Sequence, residues 1–186
     1  MPHSVCPWWL GYLLASPIRR WIGQNPDAIV KPYAREGMTV LEPGPGMGFF
    51  TIPLARLVGD GGRVIAVDLQ PKMIEALKKR ARKAGVADRI DARVTSAETL
   101  GLNDFAGKID FTLAFAMVHE FPDAQHFFDE VARASKPGAT LLLAEPRGHV
   151  KDAAFDAELS AAAKSGFQSL ARPRIARSHA AVLGKR

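Results

Sequence analysis

Cysteine is almost absent from this chain: Cys6 is the single one in 186 residues. One thiol excludes an internal disulfide, cannot by itself build a metal site, and fits a reducing compartment. No long hydrophobic run is present either. The most apolar stretch, residues 5–15, covers eleven residues and is broken by Pro7 and Gly11, too short to span a bilayer. Only His3 precedes it and Arg19 and Arg20 follow it, which is not the basic leader and small-residue cleavage site of a secretory signal. The chain therefore reads as a mature cytoplasmic protein. No His, Cys and Asp side chains stand together at metal-ligand spacing, and no metal is expected.

What is there suits a single domain with a full core: 47% apolar and 24% charged residues are ordinary for a globular chain. A net charge of +6 and a pI near 9.7 raise the question of nucleic acid. The cations are dispersed, however. Lys72, Lys78, Lys79, Arg80, Arg82 and Lys83 fall mostly on the polar side of one expected helix, and Arg172, Arg174, Arg177, Lys185 and Arg186 decorate the C-terminal strands. Without an RNA-recognition signature, nucleic acid stays an open but disfavoured partner.

Strand and helix signals alternate after residue 38, the pattern of βαβ units around a parallel sheet. Buried strands are expected at 39–42, 64–68, 90–95, 111–115 and 140–145, where large and β-branched apolar residues run together. Helical spacing links Met73, Leu77, Ala81 and Ala84 up to Gly85, and again Phe127, Phe128, Val131 and Ala132 up to Lys136-Pro137-Gly138. An Ala-rich helix at 152–165 precedes strands at 167–171 and 175–183, and so short a link requires an antiparallel pair. Ahead of the sheet, Ser16-Pro17 and Asn25-Pro26 each look like an N-cap followed by proline at the first helical position.

The chemistry concentrates at residues 40–48, Val-Leu-Glu-Pro-Gly-Pro-Gly-Met-Gly, with Asp68 closing a second apolar strand twenty residues beyond Gly48. A dinucleotide loop reads G-x-G-x-x-G so that a pyrophosphate reaches a helix N-terminus; here Phe49 stands where the third glycine belongs. An acid two residues ahead of G-x-G-x-G resembles motif I of the class I S-adenosylmethionine-dependent methyltransferases. That resemblance covers residues 31–186. It implies a Rossmann-like, doubly wound α/β sheet of seven strands, five or six parallel and the last antiparallel, with helices on both faces. The expected layout is an N-terminal helical cap or lid over 1–36 and the S-adenosylmethionine-binding domain over 37–186.

By resemblance, Glu42 holds the amino end of the cofactor's methionine moiety, Gly44 and Gly46 pass beneath the ligand, and Asp68 accepts from the ribose hydroxyls. Leu69 and Met73 then flank the adenosine. Relatives carry Asp-Ala-Glu at the third strand tip, where this chain has Ser96-Ala97-Glu98, so the adenine contact falls to Ser96 or Glu98. Ala114 and Ala116 end the fourth strand and lead to His119 and Glu120, which face the expected reaction centre. His119 could deprotonate an acceptor or simply bond loop backbone. Glu145 and His149, after the fifth strand, are placed to line a substrate pocket.

Two absences narrow the acceptor. No Asp/Asn-Pro-Pro-Tyr/Phe tetrapeptide follows strand four, and no cysteine follows residue 6, which disfavours amino-methylation of bases and attack on a pyrimidine. Trp8, Trp9 and Tyr12 are read as a lid over the substrate, with packing, a dimer contact or a membrane-surface contact as the rivals. The resulting expectation is a monomer or homodimer that moves a methyl group from S-adenosylmethionine to a small, apolar acceptor, leaving S-adenosylhomocysteine. RNA methylation is the runner-up, followed by a non-catalytic S-adenosylmethionine-binding protein or a nicotinamide-dependent oxidoreductase.

Overall fold

The computed structural model describes residues 24–186. The Ser16-Pro17 signal, the aromatic segment with Trp8, Trp9 and Tyr12, and most of the expected cap lie outside the described residues.

Seven strands form one sheet: β1 (Thr39–Pro43), β2 (Arg63–Asp68), β3 (Ile90–Val94), β4 (Ile109–Phe115), β5 (Ser135–Pro146), β6 (Phe167–Ala171) and β7 (Ser178–Lys185). Their order is β3-β2-β1-β4-β5-β7-β6. β1 to β5 pair in parallel, while β7 inserts between β5 and β6, antiparallel to both. Six strands thus share one direction and the last opposes them, as expected from the short 172–177 link.

Five α-helices flank the described sheet: α1 (Pro26–Val30), α2 (Thr51–Val58), α3 (Pro71–Lys83), α4 (Ala124–Ala134) and α5 (Asp152–Lys164). Alternation along the strands divides the core between two faces. Val40, Val64, Phe111, Leu113 and Leu142 pack with Leu54 and Val58 of α2, whereas Leu41, Ile65, Leu141 and Leu143 pack with Phe127, Phe128 and Val131 of α4 and with Phe155 of α5. Local signals set the helix ends. The Asn25 side chain accepts from the Asp27 amide beside Pro26, Asp123 accepts from the amides of Gln125 and His126, and Gly85 leaves α3 at φ +69°. Among the described residues no helix is long and apolar enough to cross a membrane.

Two boundaries differ from expectation. Lys136-Pro137-Gly138 lies within the span of β5 instead of separating helix from strand: pairing runs from Ile109–Ser135 directly to Phe111–Thr140. The intervening residues bulge out, because Pro137 has no amide to donate and Gly138 turns at φ +76°. β7 begins at Ser178 rather than 175, after Arg177 turns at φ 61°.

Phe111 sits at the sheet centre with no exposed surface, its ring stacked 5.7 Å from Tyr33. Phe111→Ala is expected to cost about 3–5 kcal/mol, read as a lower urea midpoint with an unchanged slope; a loss under about 1 kcal/mol would mean the site collapses around the cavity.

Candidate active site

Parallel strands deliver their C-terminal ends to one edge, so the tips of β1, β2, β4 and β5 converge there. Each brings a chemically distinct group: Glu42, Asp68, the 116–119 turn with His119, and Glu145.

The loop after β1 divides labour among its glycines. Gly44 turns at φ +66°, and a Cβ there would come within 3.1 Å of Met117; at Gly48, φ +87°, it would lie 2.5 Å from Leu77. Both are needed for close packing. Gly46, at φ +53°, faces open space, the bare backbone a ligand could lie against. All three amides are already engaged: Gly44 donates to Val67 O at 2.9 Å, Gly46 to Asp68 Oδ2 at 3.3 Å, and Gly48 to Pro45 O at 2.9 Å. The loop therefore offers a ligand surface and carbonyls, not a cradle of free N–H groups for phosphate.

Two acids stand beside it. Glu42 is 3% exposed and its Oε2 is buried without a hydrogen-bond partner. Burial pushes this carboxyl up to about 8, with Asp68 adding to the rise and the nearby Thr51 hydroxyl opposing it. Asp68 is itself raised by burial, against the amides of Gln70, at 2.9 Å, and Gly46 that donate to it. An unpartnered buried carboxyl is costly unless a cation or donor completes it. Leu69 is partly buried and Met73 3% exposed on the first turn of α3.

Ser96, Ala97 and Glu98 form an exposed turn after β3. Ser96 Oγ accepts from the Glu98 amide at 3.3 Å, and this hydroxyl holds the Glu98 carboxyl below its ordinary range. Glu130 of α4, which the sequence reading did not single out, anchors this turn: its carboxylate accepts from Thr99 Oγ1 and from the Leu100 amide, each at 2.5 Å. Arg80 was read as part of a solvated face, but it reaches across to donate to Met47 O at 2.7 Å and ties α3 to the glycine loop.

At the end of β4, Ala114 is buried and Ala116 adopts φ 57°, unusual for a residue with a Cβ. Its amide donates to Ala144 O at 2.7 Å, and the chain then swings Met117, Val118 and His119 over the tip of β5. Glu145 receives them. With no exposed surface, it accepts from the amides of Met117 at 3.3 Å and Val118 at 2.8 Å through Oε1, and meets His119 Nδ1 at 2.5 Å through Oε2. Instead of lining a pocket, Glu145 holds the imidazole from behind, and among the described residues no hydrogen bond engages its Nε2. The hydrogen bond to Glu145 raises the His119 pKa, with burial opposing and the charges of Glu120 and Glu158 adding. The exposed His149 ring stacks 6.0 Å from His119.

Glu158 of α5 also went unnoticed in the sequence. It is 7% exposed, its Oε2 has no partner, and burial pushes it up to about 8, the Glu145 charge adding and His119 opposing. One signal could have found it: with Phe155 and Ala162 at steps of three and four, Glu158 is the acid on the apolar stripe of α5. Among the described residues no group of three or more His, Cys, Asp or Glu side chains is gathered to hold a metal ion.

Comparison with known proteins adds a family to this geometry. Residues 34–179 match the family model described as a methyltransferase domain. A ubiquinone biosynthesis O-methyltransferase of Methylocella silvestris is 33% identical over 124 residues, 67% of this chain and 46% of that enzyme. A ubiquinone/menaquinone biosynthesis C-methyltransferase of Enterobacter is 31% identical over 111 residues, 60% of this chain and 43% of its own length. The chain thus spans about half the length of these relatives. A SAM dependent methyltransferase from Aquifex aeolicus has the same fold, with a TM-score of 0.83 at 22% identity over 97% of this chain and 98% of that one.

Two outcomes follow from the buried acids. In the folded protein Glu42 and Glu158 hold protons up to about 8, against an ordinary value of 4.5, so folding stability should fall as pH rises through that window. Glu42→Gln and Glu158→Gln should each flatten the slope of urea midpoint against pH; two unchanged slopes would contradict the burial. Glu145→Gln should lower the His119 imidazole pKa from its raised value, followed by NMR titration, and a pKa that stays put would remove Glu145 as its cause.

Proposed function

This chain belongs to the methyltransferase-domain family, and we propose that it moves a methyl group from S-adenosylmethionine to a small, partly apolar acceptor whose reacting atom carries a proton. One observation carries the cofactor reading: a buried Glu42 with an unpartnered oxygen beside a loop whose three glycine amides are engaged within the protein. Such a site suits a ligand with a cationic amino end and no phosphate. A pyrophosphate would meet two carboxyls and no free amide from the three glycines.

When bound, the cofactor supplies a methyl carbon already activated by a sulfonium, so the chain's part is orientation, exclusion of water and movement of a proton. Glu42 would ionise against the amino end, and the open face at Gly46 would take the ligand's body. Asp68 would accept from the ribose hydroxyls, Leu69 and Met73 would flank the adenosine, and Ser96, Ala97 and Glu98 would border the base. Ala114 and Ala116, at the end of β4, would back the cofactor site from within.

His119 is the proton acceptor. Its Nε2 takes the acceptor's proton while Glu145, locked by two backbone amides, stabilises the imidazolium. Glu120 and His149 border the same crevice. A base of this kind favours a hydroxyl over an acceptor with no proton to lose. We place the domain at 37–186, with 1–36 as a cap carrying Trp8, Trp9 and Tyr12, in the cytoplasm as a monomer or homodimer.

Calorimetry with S-adenosylhomocysteine, and separately with NAD and NADP, tests this reading. S-adenosylhomocysteine alone should bind; binding of only a dinucleotide would overturn it. Asp68→Ala should weaken S-adenosylhomocysteine about 10–100-fold, the worth of one or two hydrogen bonds to a charged acceptor. His119→Ala should leave that affinity within about twofold while slowing transfer to any methylated acceptor by about 10²–10⁴. RNA binding that weakens with salt would instead move the acceptor to nucleic acid.

A further inference from the structure

A second concavity opens beside the His119 crevice. A cleft of about 470 Å³ lies between the end of β5, the first turns of α5 and the β6–β7 loop, with Arg147, Arg172 and Arg174 in its walls and Phe155, Ile175 and His179 within it. Its position follows from strand register. Glu145 on β5 pairs with His179 on β7, and Pro146 with Ser178, so the cleft begins one strand from the β4 tip that carries His119 and extends to the end of β6, three strand spacings or about 14 Å away. The loop that presents Arg147 also presents His149, the ring stacked on His119.

Charge and shape point to one kind of ligand. Among the described residues the Arg147 side chain gives only its Nε–H, to Ser178 O at 3.2 Å. The Arg172 guanidinium lies 5.6 Å above the Phe155 ring, and Arg174 is exposed. Among the described residues none of the three is ion-paired, although Asp152 and Asp156 share the wall; Asp152 sits 3.4 Å from His179 Nδ1. Guanidinium forks left open match the paired oxygens of a carboxylate or phosphate. Below them, Phe155, 3% exposed and stacked on His179 at 5.2 Å, gives an apolar and aromatic floor. The cluster is also isolated. The cations of α3 lie over β2 and β3, with β1 and β4 between them and the cleft, so among the described residues no continuous basic track joins the two clusters to suit a polynucleotide.

We infer that the methyl acceptor is an anionic small molecule, its carboxylate or phosphate docked between Arg147, Arg172 and Arg174 while its reacting hydroxyl lies at His119. This rests on the reading of the His119 crevice as the transfer site. An aromatic ring extended by a short chain, spanning on the order of 10 Å, would connect the two points, and its apolar body would cross Phe155 and Ile175. The cleft then selects acceptors by charge, and the crevice selects them by the proton they can lose.

The test uses the full chain with benzoate, phenyl phosphate and, as the neutral control, benzyl alcohol, titrated by heteronuclear NMR in the presence of S-adenosylhomocysteine. Amide shifts confined to residues 147–156 and 172–180 are expected with an anion and not with the alcohol. Stronger shifts with benzoate assign a carboxylate; stronger shifts with phenyl phosphate assign a phosphate. A variant carrying Arg172→Ala and Arg174→Ala should lose at least about tenfold in anion affinity, as befits two charge-assisted contacts, while binding S-adenosylhomocysteine as before. The inference falls if neither anion shifts those amides, if the alcohol shifts them equally, or if the double variant binds unchanged. It also falls if a short RNA strand shifts both the cleft and α3 with salt-sensitive affinity where the small anions do not. Failure of S-adenosylhomocysteine to bind would remove the methyl-donor reading and the acceptor role with it, whereas its binding with the anions silent would remove this inference alone.

Discussion

The Glu145 carboxylate, sealed at the end of β5, is the interaction on which the reactive edge of this domain depends. A charge with no exposed surface must find donors inside the protein, and the donors are the amides of Met117 and Val118 and the ring of His119. To bring all three within reach, the chain leaves β4 through Ala116 in a left-handed conformation. The strained turn, the orientation of the imidazole and its raised pKa are therefore consequences of one buried acid. Burial keeps the proton on Glu158 of α5 well above the usual carboxylate range, and the same Glu145 charge adds to the rise.

At the other end of the crevice the logic is reversed. Glu42 is buried without a full set of donors, and the glycine loop beside it has turned its amides inward to Val67, Asp68 and Pro45. An acid left incomplete next to open backbone is a buried polar group that a cationic or donor ligand would complete. The two carboxyls thus mark two duties: Glu145 is satisfied and holds protein in place, whereas Glu42 is unsatisfied and suits a cation. Between Glu42 on β1 and Glu145 on β5 runs β4, paired with both strands, so the incomplete acid lies one strand away from the turn that carries His119.

Much of this fold was legible in the residue pattern. Uninterrupted apolar runs marked the strands of a sheet covered on both faces, and Asn25-Pro26 and Gly85 marked helix ends where the structure has them. The expected positions of Glu42, Gly44, Gly46, Asp68, His119 and Glu145 do meet along one edge. Boundaries were less legible. The Lys136-Pro137-Gly138 bulge reads locally as a stop signal, and only pairing of Ser135 with Ile109 shows that the strand has already begun.

Periodicity and motif spacing by themselves determined the fold class, the glycine loop and the acids that accompany it, because turn geometry and strand burial act over a few neighbouring residues and leave a local trace. Only tertiary structure decided which acids are satisfied. Glu130 is joined to Leu100 across 30 positions, Glu145 to Val118 across 27, Arg80 to Met47 across 33, and Arg147 meets Arg172 and Arg174 in one cleft from a different loop. Desolvation and hydrogen bonding depend on what folding brings near, and a carboxylate's neighbours in space are not its neighbours in sequence.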